Sequence, residues 1–231
     1  DAVSYAASFG TVSRIRGRFR PESAAGRKAL WREVADGPEL VWRVPILRAV
    51  VIQVPLVNFA FTGVIFTVTL ALRQHGTATA VIGLVQAAIA AGGLAGAVVA
   101  PRLQGRMRLA TLATTITLAG ALLFAAAALL FPSPLVAAPV ALALLLAPAA
   151  NAALVAAVLR SAPEDMRGRV TNTVIMAATA LAALAPLIAG LLVQHLSGAW
   201  AVGAFAATMA AAAVLCLALP GLRPAPGDPR S

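Results

Sequence analysis

The side chains able to do chemistry deep in the apolar runs of this sequence are neutral, and three amides lead them: Asn58, Gln86 and Asn151. They lie ten residues from Arg48, eleven from His75 and nine from Arg160. At about 1.5 Å of rise per residue, a helix through each run puts all three near one depth. An amide at that depth can orient a small polar group or bond a neighbouring helix. On its own helix Asn58 shares a face with Thr62 and Thr69, because offsets of 4 and 11 residues return close to the starting angle. Asn58, Thr62, Gln86 and Asn151 are therefore the candidates for lining a shared cavity.

Other chemistry has little to work with. No Asp, Glu, Lys or Arg lies deep in any long apolar run, whereas proton relays and ion sites in membranes rest on such groups. His75 and His195 stand singly at separate polar breaks, and Cys216 is the lone cysteine, placed in an apolar run as a small hydrophobe would be. There is no Ser-His-Asp arrangement, no glycine-rich phosphate loop and no His-Glu-x-x-His. Catalytic residues, metal ligands and a cofactor are accordingly not assigned.

These groups must be carried by membrane-spanning helices. Hydrophobic residues make up 61% of the chain and charged residues 11%, against the roughly 25% charged that covers a soluble domain. The net charge of +10 does not mark a nucleic-acid binder, since its basic residues cluster between long uncharged runs and form no stripe among aromatics. A span needs about 20 apolar residues. Ala49 to Leu72 and Thr77 to Pro101 meet that length, with the polar turn Arg73-Gln74-His75-Gly76 between them. The 51 uncharged residues between Arg108 and Arg160 break at Phe131-Pro132-Ser133-Pro134, because prolines end helices. The run from Arg169 to Arg223 breaks at Gln194-His195-Leu196-Ser197-Gly198. The expectation is an all-α, polytopic six-helix transmembrane bundle over 47–219, with spans at about 47–72, 77–100, 109–131, 135–159, 170–193 and 199–219.

The flanks read differently. Thirteen residues precede Arg14; as helix they rise about 20 Å, short of a hydrocarbon core of about 30 Å. Residues 1–13 read as the end of a truncated transmembrane helix. Residues 14–46 form a basic loop, in which Leu30, Trp31, Val34 and Ala35 share a helical face suited to the membrane interface. Residues 220–231 form a tail. If Arg14 to Arg48 is cytoplasmic, alternation puts 17 of the 18 basic residues on that side and leaves Arg73 alone outside, the bias expected of a cytoplasmic C-terminus.

Two features concern motion and loops. Gly92 and Gly96 form a small-xxx-small pair that lets helices approach closely. Pro186, set among alanines, is expected to bend its span. In Ser161-Ala162-Pro163-Glu164-Asp165-Met166-Arg167-Gly168-Arg169, Ser161 and Glu164 fit a capping box, and Asp165 and Arg169 are spaced to pair.

That loop, continued to Val170, resembles the segment between the tenth and eleventh helices of major facilitator superfamily transporters, in the bacterial branch of drug and siderophore exporters. Gly37 to Arg48 is similar to the lead-in to the seventh helix of that family. Gly92-Gly93-Leu94-Ala95-Gly96 resembles the eighth helix, and Ala185-Pro186-Leu187-Ile188-Ala189-Gly190 the eleventh. One position departs: Gly105 stands where the loop after the eighth helix carries an acid, while Arg106 and Arg108 keep its basic character.

The resemblance implies the C-terminal half of a transporter of two six-helix bundles, each made of two three-helix repeats, here 47–131 and 135–219. It implies alternating access and a place in the bacterial cytoplasmic membrane. Its partners would be the lipid bilayer, a small-molecule substrate and an N-terminal bundle of the same polypeptide. Arg106, Arg108, Glu164, Asp165, Arg167 and Arg169 are then gate candidates in the cytoplasmic loops. With no membrane carboxylate in this half, ion coupling would rest with the other. The alternative is a non-transporting membrane scaffold or a lipid-handling protein.

Overall fold

The structure, a computed structural model, describes residues 8–9, 38–104 and 109–219, with Gln104, Leu109 and Asp165 described by backbone alone. The chain divides into two compact units, Asp1–Val34 and Ala35–Ser231. Of the first, only the helical residues 8–9 are described; the helical bundle belongs to the second. The remainder of 1–13, the interfacial reading of 14–46 before residue 38, Arg106, Arg108 and the tail 220–231 lie outside the described residues.

A short helical stretch, 38–43, leads through a bend at Val44 into α1, Pro45–Gln74. Pro45 suits the first turn, where its missing N–H is no loss. The other end of α1 closes tightly: Gly76 takes a positive φ of 70°, Thr77 N–H bonds Leu72 O at 3.1 Å and Gly76 N–H bonds Arg73 O at 3.0 Å. This is a Schellman closure, and it needs the residue without a Cβ at the left-handed position. Next come α2, Thr79–Gln104, and α3, Leu109–Leu130. A 3₁₀ turn, Pro134–Val136, capped by the Ser133 hydroxyl, leads into α4, Ala137–Ser161.

The loop after α4 corrects one expectation. Ser161 is the last residue of α4, and the 3₁₀ turn Glu164–Met166 has Pro163 before it with no side-chain cap, so the Ser161–Glu164 capping box does not form. Ala162 is extended, which carries Ser161 away from the next helix start. Glu164 instead accepts a hydrogen bond from Arg167 Nη1 at 3.2 Å, while Arg167 Nε donates to Leu159 O at 3.0 Å. Arg167 thus satisfies a carbonyl in the last turn of α4, which no helical N–H can reach. The Asp165 side chain lies outside the described residues.

The run expected as one span from 170 is two helices, α5, Arg167–Ala182, and α6, Ala185–His195. The break at Ala183-Leu184 follows from Pro186, which has no N–H and whose ring cannot sit against the carbonyl four residues back. α7, Gly198–Ala218, is capped by Ser197, whose hydroxyl accepts from Trp200 N–H at 3.4 Å. Six segments are long and apolar enough to cross a membrane: Pro45–Gln74, Thr79–Leu103, Ala110–Leu130, Pro134–Ser161, Arg167–His195 and Gly198–Ala218. No strand occurs among the described residues.

The packing of these spans has an internal two-fold pattern. Span 1 packs on spans 5 and 6; span 4 packs on spans 2 and 3; spans 3 and 6 face each other, and so, more narrowly, do spans 1 and 4. Exchanging 1 with 4, 2 with 5 and 3 with 6 maps this pattern onto itself. Spans 2 and 5, which exchange with each other, are also the least buried. Two consecutive three-helix units related in this way are the repeat architecture of secondary transporters.

The core is densest toward the turns at Gly76, Pro132 and Ser197. There Phe61 meets Phe124 edge-on at 5.2 Å and Phe59 meets Phe205 at 5.3 Å, among Val64, Val68, Val136 and Met209, all buried. α2 and α4 touch backbone to backbone: a Cβ on Gly92 would fall 2.2 Å from Ala141 O, and one on Gly96 would fall 2.2 Å from Leu145 O. Large exposed residues such as Leu84, Leu94, Leu122 and Leu129 cover the outside, as a surface solvated by lipid allows.

Candidate functional site

Between the packed half and the end carrying Arg48, Arg160 and Arg167, the bundle is hollow. One cavity, of about 350 Å³, is bounded by spans 1 to 4, and a second, of about 180 Å³, by spans 1, 4 and 5. Four residues line both: Val54, Asn58, Asn151 and Leu154. They form a neck between two lobes, and no charged side chain lines either lobe.

The neck sits on the two-fold pattern of the fold. Asn58 follows Pro55 by three residues on α1, and Asn151 follows Pro148 by three on α4. Spans 1 and 4 exchange under the pattern, so Pro-x-x-Asn occurs once in each three-helix unit, at corresponding places. This repeat was available in the sequence, since both prolines and both asparagines are 93 residues apart, but depth alone does not reveal it. Each proline removes one ladder hydrogen bond in its helix. Asn58 turns its Nδ2 back onto Val54 O at 2.9 Å, which leaves Oδ1 free. Asn151, exposed in the neck, makes no hydrogen bond among the described residues.

The other two cavity candidates stand apart. Gln86 lines neither lobe, and its amide donates to the Thr69 hydroxyl, which in turn donates to Ile65 O at 2.8 Å. That is an interhelical bond between α2 and α1, the second of the two roles open to an amide at this depth. Thr62 is half-buried and lines neither lobe. Of the four cavity candidates, the fold brings together Asn58 and Asn151.

Two residues that the sequence did not single out join them. Gln53, 1% exposed, and Thr117, 2% exposed, line the larger lobe. Thr117 Oγ1 donates within its own helix toward Ala113 O at 2.8 Å and Thr114 O at 3.1 Å, and lies 4.0 Å from Cys216 Sγ. Gln53 also stands beside that thiol. Gln53 Oε1 has no hydrogen-bond partner. The available signal was a glutamine inside the uncharged run Ala49 to Leu72, five residues before Asn58. Among the loop candidates, Glu164 and Arg167 are paired as described, and Arg169 lies partly buried at the start of α5. No cluster of metal-ligating side chains occurs among the described residues.

Secondary transporters place their sites between the repeats of such a bundle. A family model described as Major Facilitator Superfamily matches residues 50–231. The chain belongs to that superfamily, whose members are transporters rather than enzymes. It is a multi-pass protein of the lipid bilayer, of the kind that binds small substrates. Neither the curated proteins nor the solved structures gave a match.

Proposed function

We propose that this bundle is the C-terminal half of a secondary active exporter that moves small molecules by alternating access. Its partner in this reading is an N-terminal six-helix bundle of the same polypeptide, and the substrate cavity includes the neck at Asn58 and Asn151. The observation that carries the proposal is the placement of these two amides at corresponding positions of the two three-helix units, on an uncharged, largely apolar cavity. Two helices carrying the same polar group across a two-fold can exchange contacts with a ligand as one unit moves against the other.

In the same reading the driving ion gradient acts on carboxylates of the other bundle, since both lobes lack charge. The loop holding Glu164, Asp165, Arg167 and Arg169, with Arg106 and Arg108, forms the cytoplasmic gate. The basic excess at that end supports a bacterial cytoplasmic membrane with the C-terminus inside.

The test is efflux from vesicles containing the full-length protein, with and without an imposed proton gradient. Export should depend on the gradient; export at the same rate without one would sink the coupling. Asn58→Ala and Asn151→Ala should each change the substrate range or rate. Unchanged efflux in both would reduce the neck to packing.

A further inference from the structure

The larger lobe holds several unused hydrogen-bond acceptors, and one of them is a buried orphan. Gln53 is 1% exposed, lines the lobe, and its Oε1 has no partner. An unpaired amide oxygen held out of water and lipid is costly, and a native fold retains such a group when something else satisfies it.

Its neighbours lean the same way. The Thr117 hydroxyl proton points at helix carbonyls, so that oxygen offers only lone pairs to the lobe. Asn58 spends one Nδ2 proton on the Val54 carbonyl, which leaves its Oδ1 and one N–H for the lobe. Leu144, which also lines the lobe, is four residues before Pro148, and the N–H that would take up its carbonyl is missing. The donors left unengaged on the lining asparagines are both Nδ2 protons of Asn151 and one of Asn58, so the buried orphan Gln53 Oε1 is what sets the preference.

We infer that this lobe is a binding subsite for an uncharged, largely apolar molecule carrying an N–H or O–H donor, which it places on Gln53 Oε1 with Thr117 beside it. The subsite rests on the transport reading for its purpose but not for its chemistry. A cation is disfavoured, because no carboxylate lines the lobe and an unpaired charge in apolar surroundings is far costlier than a hydrogen-bonded neutral donor. A volume of about 350 Å³, near the lower end of ligand pockets, fits a molecule of two or three rings, with Phe61 and Ile116 on the wall.

The test is fluorescence titration of the full-length protein in detergent with N-phenyl-1-naphthylamine, a neutral aromatic with one N–H, and with its N-methyl analogue, which has none. The wild type should bind the N–H probe about tenfold more tightly, the range expected for satisfying a buried acceptor. Gln53→Met, which fills the same space without the orphan oxygen, should abolish the preference while keeping affinity for the N-methyl probe. Thr117→Val should reduce the preference in part, and gives a second reading if Gln53→Met fails to fold.

Equal binding of the two probes by the wild type, no saturable binding of either, or a preference that survives Gln53→Met would overturn the subsite. Tighter binding of tetraphenylphosphonium than of the N–H probe would overturn its neutrality. The same variants are then assayed in proteoliposomes. A preference lost in Gln53→Met, with no movement of the probe across the membrane by the wild type, would keep the subsite and remove the transport reading.

Discussion

Replacing Gly92 or Gly96 by alanine should loosen the bundle, and the size of the loss can be worked from the contact of α2 with α4. The new Cβ would lie 2.2 Å from Ala141 O in one case and 2.2 Å from Leu145 O in the other, with the carbonyl carbons at 2.7 and 2.8 Å. An ordinary C···O contact is about 3.3–3.6 Å. The obstruction is backbone, so no rotamer change relieves it, and the helices must part by about 1 Å. A gap of that order forfeits a quarter to a half of each contact's attraction, and overpacking costs about 1–3 kcal/mol. Against this, alanine is favoured over glycine within a helix by about 0.5–1 kcal/mol. Either single substitution should therefore lose about 1–2 kcal/mol.

The double variant distinguishes this mechanism. Gly92 and Gly96 are one turn apart and face carbonyls one turn apart, so a single retreat of α2 admits both Cβ atoms. Its loss should fall well short of the sum of the singles. Two glycines nearby serve as controls. A Cβ on Gly93 would meet the Leu144 side chain alone, Cδ2 at 3.1 Å and Cγ at 3.5 Å, and one on Gly83 would meet nothing within 4 Å. Gly93→Ala should be near neutral and Gly83→Ala mildly stabilising. Thermal unfolding in detergent reads these differences, at roughly 2–4 °C per kcal/mol for a domain of this size. Melting points for Gly92→Ala and Gly96→Ala at or above that of Gly83→Ala would refute the backbone contact. Strict additivity in the double variant would refute the shared retreat.

Three further outcomes rest on the geometry. Gln86→Leu breaks the bond to Thr69 and should cost about 0.6 kcal/mol, the average for interhelical hydrogen bonds in membranes, without altering efflux. A fall in efflux at unchanged melting temperature would return Gln86 to the transport path. Arg167→Ala removes both the cap on Leu159 O and the exposed pair with Glu164. It should cost no more than about 1 kcal/mol but speed cleavage by a glutamate-specific protease at Glu164, and equal cleavage rates would show that Arg167 does not hold the loop. Asn58→Ala removes the side-chain bond to the Val54 carbonyl, whereas Asn151→Ala removes no hydrogen bond. Asn58→Ala should therefore melt lower than Asn151→Ala, and the reverse order in the same thermal assay would contradict the assignment.

What the sequence determined by itself is what depends on position along a helix axis. Apolar runs of membrane-spanning length separated by Arg73-Gln74-His75-Gly76, Phe131-Pro132-Ser133-Pro134 and Gln194-His195-Leu196-Ser197-Gly198 define six spans, because a continuous apolar run of about 20 residues satisfies its own backbone in lipid as a helix. Gly76, Pro186 and the Gly92–Gly96 pair could be read for a turn, a bend and a close approach, because each is a local steric property, although the bend at Pro186 is a break between two helices. The sequence also puts Asn58, Gln86 and Asn151 at similar distances from the ends of their runs. What only the tertiary structure decided is azimuth: which face of each helix looks at which neighbour. In a soluble helix the apolar stripe reveals the inward face, but here lipid and core are both apolar and the pattern carries little information on direction. So Gln86 and Asn58 could not be told apart by depth, although one ties α2 to α1 and the other lies in the neck. Gln53, buried beside Thr117 and Cys216 from spans distant in sequence, becomes a site only when spans 1, 3 and 6 are folded together.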